Sequence, residues 1–434
     1  MKRVLIITYY WPPSGGSGVQ RWLKMSKYLP ENGWQPVIYT AEDAEYPVED
    51  TTLEQDVCPE AEVIRRKIVE PYTFYKKFLG KKKDEKVKAG FINESGKKGG
   101  WKESLSVWIR GNCFIPDARC WWIRPSVRYL KQYLKEHPVD AIISTGPPHS
   151  MHLIAMQLHQ HFGTPWIADF RDPWTDIYYA DALHLGRHAQ RKHQRLEREV
   201  LSTANQVVTV SQSCADALRE KVKNTVKVVP NGFDCEINTK PKAKTEKFVL
   251  AHIGIIPPKS SSLIWEALGE LVNENTDFAT ALELRLVGQV DQSVQQTLQE
   301  KALDSFTKKI PYLPHGQAIE EQRQADMLLL LIPDATSARG ILTGKLFEYL
   351  ASGRPILCIG PTDGDAARII AQTNTGTTLD FCDKEGMKAA ILLAFNKYQN
   401  SEATLQESQQ VEQYSRKALT KAYAEIMDDM VENE

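Results

Sequence analysis

The chain has 434 residues, 42% hydrophobic and 25% charged, with a formal net charge of −1 and a pI of about 6.8. That length and balance suit a globular protein of two or three domains and exclude a globally basic nucleic-acid binder, so any cationic surface must be local. The seven cysteines (Cys58, Cys113, Cys120, Cys214, Cys235, Cys358 and Cys382) are scattered without a Cys-x-x-Cys pair, which argues for a reducing compartment and against a structural zinc.

Lys2-Arg3 and the apolar run behind them look like the opening of a secretory signal, but the run stops at Pro12 and reads as a first strand, 3–8. It leads into a glycine-rich turn, Gly15-Gly16-Ser17-Gly18, that opens a helix; glycines let a backbone approach a ligand closely. Against the dinucleotide fingerprint the third glycine is missing and Arg21 stands there, which disfavours a dehydrogenase. Further apolar strands are expected at 35–40, 139–144, 165–169 and 206–210, then at 249–254, 283–287, 327–332 and 355–359, alternating with longer helical patterns. This is the pattern of doubly wound parallel sheets, whose ligands sit beyond the carboxyl ends of the strands.

The polar stretch 238–247 reads as a linker between domains at 1–237 and 248–412. A closing segment, 413–434, has helical periodicity through Tyr414, Leu419, Tyr423 and Ile426. One insertion breaks the alternation: Lys76 to Lys102 is lysine-rich with interleaved aromatics, a composition suited either to an anionic bilayer or to a solvated loop. No stretch approaches the roughly 20 apolar residues of a membrane-spanning helix, and the expected location is cytoplasmic, at most peripheral on the inner face of the cell membrane.

Chemistry is expected at strand ends. Thr343-Gly344-Lys345 starts a helix on a small-residue loop; free N–H groups with a nearby lysine suit a diphosphate, and Glu348 one turn on suits ribose hydroxyls. The alternative for Lys345 and Glu348 is an ordinary helix-surface ion pair. In the first half, Thr145-Gly146-Pro147-Pro148-His149 presents a histidine after one strand, and Asp169, Arg171 and Asp172 end the next. Asp363-Gly364-Asp365 is read as a loop acid pair.

These segments, with Ile167 to Trp174, Val207 to Ser211, Val228 to Asp234, Leu250 to Gly254 and Leu284 to Gly288, resemble in order and spacing the retaining nucleotide-sugar glycosyltransferases of family 4. The resemblance covers nearly the whole chain. It implies the GT-B fold: α/β, two doubly wound Rossmann-like domains facing across a cleft, with the last helix crossing back to the first domain. It implies that Lys345, Thr343 and Gly344 hold the donor diphosphate, that Glu348 holds the ribose, and that Gly15, Gly16, Ser17 and Gly18 form the first-domain loop. His149, Asp169, Arg171 and Asp172 would face the acceptor or the donor sugar.

Two departures accompany the resemblance. After Gly254 no arginine stands in the usual place, leaving Lys259 as the second-domain cation. The first of the family's two spaced glutamates falls on Gly340, so the sugar contact is assigned to Arg339, Thr343 or the backbone near Gly340. The implied partners are a nucleotide-sugar donor, a glycan or lipid-linked acceptor and an anionic membrane surface, with no nucleic acid, no metal and no cofactor beyond the donor itself. The implied reaction is hexosyl transfer with retention, in cell-envelope or exopolysaccharide assembly. A sugar-nucleotide epimerase and a non-catalytic scaffold of the same fold are the alternatives.

Overall fold

A computed structural model describes residues 1–46, 48–70, 108–109, 111–176, 184–240, 242, 245–256, 262–402 and 410–432. The lysine-rich insertion 76–102 and Lys259 lie outside the described residues. The chain divides into two compact units, Met1–Pro230 with Arg416–Glu434, and Asn231–Ser415.

The first unit is built on seven parallel strands: β1 (Lys2–Ile7), β2 (Trp34–Glu42), β3 (Glu62–Lys67), β4 (Ala141–Gly146), β5 (Trp166–Phe170), β6 (Gln206–Thr209) and β7 (Val226–Val228), in the order β3-β2-β1-β4-β5-β6-β7. The second has six: β8 (Phe248–Ile253), β9 (Leu282–Val287), β10 (Thr307–Ile310), β11 (Met327–Leu331), β12 (Ile356–Ile359) and β13 (Gly376–Leu379), in the order β10-β9-β8-β11-β12-β13. Both are doubly wound parallel sheets, and two such domains are what the sequence reading expects of the GT-B fold. Chain direction across each sheet reverses beside its first strand, between β1 and β4 and between β8 and β11, which is where such sheets open a ligand crevice.

The central strands are apolar because helices cover both faces: β4, β5 and β8 are buried at every position. The four strands absent from the sequence reading, β3, β7, β10 and β13, are the outermost of the two sheets. Their sequences, EVIRRK, VKV, TKKI and GTTL, are polar and half-exposed because an edge strand packs against fewer neighbours.

The closing helix, Arg416–Glu432, belongs to the first unit, where Tyr423 packs edge-on against Trp22 with ring centroids 5.0 Å apart. The stretch 238–247, read from sequence as a linker, is tied into the second unit. Asn238 donates its N–H to Ala351 O at 2.8 Å, and Lys242 pairs with Asp326 at 2.6 Å with both side chains buried. The division between units falls earlier, at Pro230 and Asn231. Among the described residues no helix is long and apolar enough to cross a membrane, and none of the cysteines is joined in a disulfide.

Candidate functional site

In the second unit the helix Gly344–Ala351 starts from the loop that follows β11. Thr343 takes the N-cap position with extended backbone, yet its hydroxyl caps nothing; Oγ1 is buried with no partner among the described residues. Gly344 is exposed, and a Cβ there would meet nothing within 4 Å. The helix therefore offers uncapped N–H groups to an open space, which is the electrostatic setting for an anion.

Lys345 reaches from that helix to the carboxyl end of β8. Its Nζ donates to His252 Nε2 and to Ile255 O, each at 3.1 Å. Gly254, at φ 117, makes the approach possible: a Cβ there would lie 3.1 Å from Lys345 Cδ and 3.2 Å from its Nζ. His252 is fully buried, and its Nδ1 lies 2.9 Å from Leu329 O. A carbonyl only accepts, so Nδ1 carries the proton and Nε2 presents a lone pair to the ammonium. Burial, then the Lys345 charge, pushes His252 down to about 3, which keeps it neutral. Burial likewise lowers Lys345 to about 8. Both acceptors of the ammonium are uncharged, so its positive charge is not spent on an ion pair.

Glu348 does not pair with Lys345. Its Oε1 lies 3.0 Å from His315 Nε2, and its Oε2 accepts from Gln322 Nε2 at 2.9 Å. The two residues of the supposed helix-surface pair thus face different partners, and Glu348 sits half-buried at the helix flank with its carboxylate held in place. Arg339 is exposed and doubly bonded to Asp363, Nε to Oδ1 at 3.1 Å and Nη2 to Oδ2 at 3.0 Å. This pair lines a cavity of about 430 Å³ that also includes Ala338 and Phe381, beyond the ends of β11, β12 and β13. Gly340 closes the short turn leading to Thr343. Asp365 is buried against Arg368 at 2.8 Å, so each acid of Asp363-Gly364-Asp365 engages an arginine.

In the first unit the glycine turn folds back on itself. Gly16 N-caps the helix Ser17–Tyr28 at φ 82, Gly15 N–H bonds Val48 O at 2.8 Å, and a Cβ on Gly18 would lie 2.9 Å from the Tyr10 ring. Gly16 and Ser17 are exposed. Arg171 ties this turn to the proline loop, donating Nη1 to Gly18 O at 2.7 Å and Nη2 to Pro147 O. Like Lys345 it is held by uncharged acceptors at a strand end. Asp172 beside it is exposed.

His149 is buried and stacks on Trp174 with ring centroids 4.6 Å apart and planes 2° from parallel. Burial, then neighbouring His152, holds it well below its ordinary pKa, so it is a neutral imidazole, and Nδ1 has no partner among the described residues. Gly146 makes room for both rings: a Cβ there would lie 2.5 Å from His152 Nε2 and 2.9 Å from His149 Nδ1.

Asp169 differs from the sequence expectation that it faces a substrate. It is fully buried and accepts from Arg21 Nε at 3.1 Å, Arg21 Nη2 at 2.8 Å, Trp22 Nε1 at 2.9 Å and Thr145 Oγ1 at 2.8 Å. Arg21 also donates to Pro230 O at 2.9 Å. A buried carboxylate so saturated is structural: it locks the helix behind the glycine turn onto β5. Sequence reasoning also missed His252, whose one signal was a lone imidazole in an apolar strand two residues before a glycine.

Residues 96–237 match the family model Glycosyltransferase Family 4. No curated protein matches the chain in sequence. Among solved structures, sucrose-phosphate synthase from Thermosynechococcus elongatus superposes with a TM-score of 0.63 at 13% identity, covering 100% of both chains. An S. aureus TarM variant in complex with fondaparinux, alpha-GlcNAc-glycerol and UDP gives 0.59 at 11% identity over 99% of this chain and 100% of that one. The lipopolysaccharide outer core galactosyltransferase WaaB gives 0.57 at 11% over 98% and 99%.

Proposed function

We propose that this family 4 glycosyltransferase of GT-B fold moves a hexose from a nucleotide-sugar donor to a hydroxyl of a glycan or lipid-linked acceptor, with retention, in cell-envelope or exopolysaccharide assembly. The observation that carries the reading is Lys345: an ammonium fixed by two uncharged acceptors at the end of β8, beside an uncapped helix start. Such a cation and such N–H groups are arranged for a diphosphate, and they gain strength as the leaving group takes on charge. Glu348, already fixed by His315 and Gln322, would take the ribose hydroxyls.

The acceptor oxygen would form its bond to the anomeric carbon on the face that the diphosphate leaves. The carbon–phosphate-oxygen bond breaks with its electron pair going to the diphosphate, whose oxygen takes the acceptor proton. No protein nucleophile is required. In the first unit, the neutral imidazole of His149 and the Arg171 guanidinium, which donates to two backbone carbonyls, are the groups suited to orient acceptor hydroxyls.

A thermal-shift panel of nucleotide sugars, followed by mass spectrometry of products with lipid-linked and soluble glycan acceptors, tests this reading. Stabilisation by one donor class and acceptor-dependent product are expected. A chain that no nucleotide or nucleotide sugar stabilises sinks it, and conversion of the donor without acceptor would select the epimerase instead.

A further inference from the structure

A further cavity of the second unit, of about 640 Å³, lies at the amino ends of β8, β9, β11 and β12. Those strands run parallel, so it sits at the opposite end of the sheet from Lys345, which reaches the carboxyl end of β8. Its lining gathers cations from segments far apart in sequence: Lys240, Lys242, Lys247, Arg285, Arg323 and Arg354. Carboxylates match two of them. Lys242 pairs with Asp326 at 2.6 Å, and Arg285 pairs with Glu321 at 2.8 Å and with Glu283. Others give their hydrogens to carbonyls: Arg323 Nη2 to Glu236 O at 2.9 Å, Lys247 Nζ to Thr280 O at 2.7 Å, and the buried Arg354 Nε to Arg323 O at 2.8 Å. Neither Arg323, Lys247 nor Lys240 forms an ion pair among the described residues. Burial, and after it the Arg354 and Arg285 charges, hold the Lys242 ammonium below its ordinary pKa even with Asp326 against it. The cations are close enough to repel one another.

Cations alone would suit any anion. The same lining also holds Glu246 and Glu320, both exposed, and the side-chain amides of Asn238 and Gln324. Glu320 accepts from Gln324 Nε2 at 3.3 Å, and Asn238 Nδ2 donates to Ser352 O at 2.9 Å. A bare phosphate gains nothing from carboxylates beside it, but a hydroxylated phosphate does. Guanidinium and ammonium groups take its phosphate oxygens, while carboxylate and amide oxygens accept from its hydroxyls. The volume exceeds what inorganic phosphate fills and falls within the range of small-molecule sites.

We infer that this cavity binds a small sugar phosphate. The site is separate from the candidate donor site, and its occupancy is measured without donor or acceptor, so it does not depend on the transferase reading.

Calorimetry of the full chain tests it, with glucose 6-phosphate, fructose 6-phosphate, glucose 1-phosphate, glucose and inorganic phosphate as titrants. At least one hexose phosphate is expected to bind more tightly than inorganic phosphate, and glucose is expected not to bind. Arg323→Gln combined with Lys247→Gln should weaken that binding at least about tenfold, the scale of one lost charge-assisted hydrogen bond. Lys345→Ala should bind the same hexose phosphate as the parent does, because Lys345 lies at the other end of the sheet. Circular dichroism melts without ligand confirm that each variant folds. Absence of binding by every hexose phosphate, inorganic phosphate binding as tightly as the best of them, unchanged affinity in the folded double variant, or loss of binding in Lys345→Ala would each overturn the inference.

Discussion

Two strand-to-helix turns in this molecule look alike in sequence and serve different ends. After β1, a glycine turn opens the helix Ser17–Tyr28, and that helix carries Arg21; after β11, a small-residue loop opens the helix Gly344–Ala351, and that helix carries Lys345. Arg21 is 1% exposed and gives its charge to Asp169 and its remaining reach to Pro230 O. Lys345 is half-buried and rests on a neutral imidazole and a carbonyl. A cation paired with a buried carboxylate is structural, whereas a cation positioned by uncharged acceptors keeps its field uncancelled, which is what the proposed diphosphate site requires. The partner, more than the residue type, separates scaffold from site.

The largest effect that tests this contrast is on the scaffold side. Asp169→Asn keeps the shape and removes the charge, stranding Arg21, and should cost about 3–5 kcal/mol in urea unfolding. Burial raises the Asp169 carboxyl, but the Arg21 charge and the bonds from Arg21, Trp22 and Thr145 outweigh it, and its folded pKa is depressed. Its contribution is therefore complete above the unfolded carboxylate value of about 3.9 and lost as pH falls through the lower folded value. A variant within about 1 kcal/mol of the parent would place Asp169 outside the scaffold role.

Lys345→Ala should lower turnover at saturating donor by roughly 10²-fold, because the cation meets charge that develops on the leaving group. An effect confined to KM would reduce Lys345 to a binding group. Its pKa of about 8 adds a signature. Nucleoside diphosphate affinity should be steady below that value and weaken as pH rises through it, when the ammonium is lost, and calorimetry across this range on Lys345→Ala should show no such step.

Glu348→Ala should weaken nucleotide binding by about 1.5–3 kcal/mol, the scale of a lost charged hydrogen bond. The substitution also frees His315 and Gln322, so the comparison with His315→Ala matters. If His315→Ala binds nucleotide like the parent while Glu348→Ala does not, the carboxylate itself contacts the ligand; unchanged affinity in a folded Glu348→Ala protein removes it from the site.

The nine strands read from the sequence are the interior strands of both sheets, and the four missed are the edges. The cause is physical. An interior strand is covered on both faces and must be an apolar run, as in Met327–Leu331, MLLLL, whereas an edge strand such as Thr307–Ile310, TKKI, is polar enough to pass for loop. The strand-end position of Lys345, Glu348, His149 and Arg171 was legible for the same reason: once the apolar runs are placed, the residues just beyond them follow.

The order of apolar runs, the glycines at the turns and the helix-start lysine were set by local sequence, because burial periodicity and backbone freedom act over a few residues. Whether a cation meets a buried carboxylate or only uncharged acceptors was decided by tertiary structure alone. Arg21 meets Asp169 across 148 positions of sequence, and Lys345 meets His252 across 93. Ionic and hydrogen-bond partners are chosen by distance in space, and only the folded sheet brings those strand ends together.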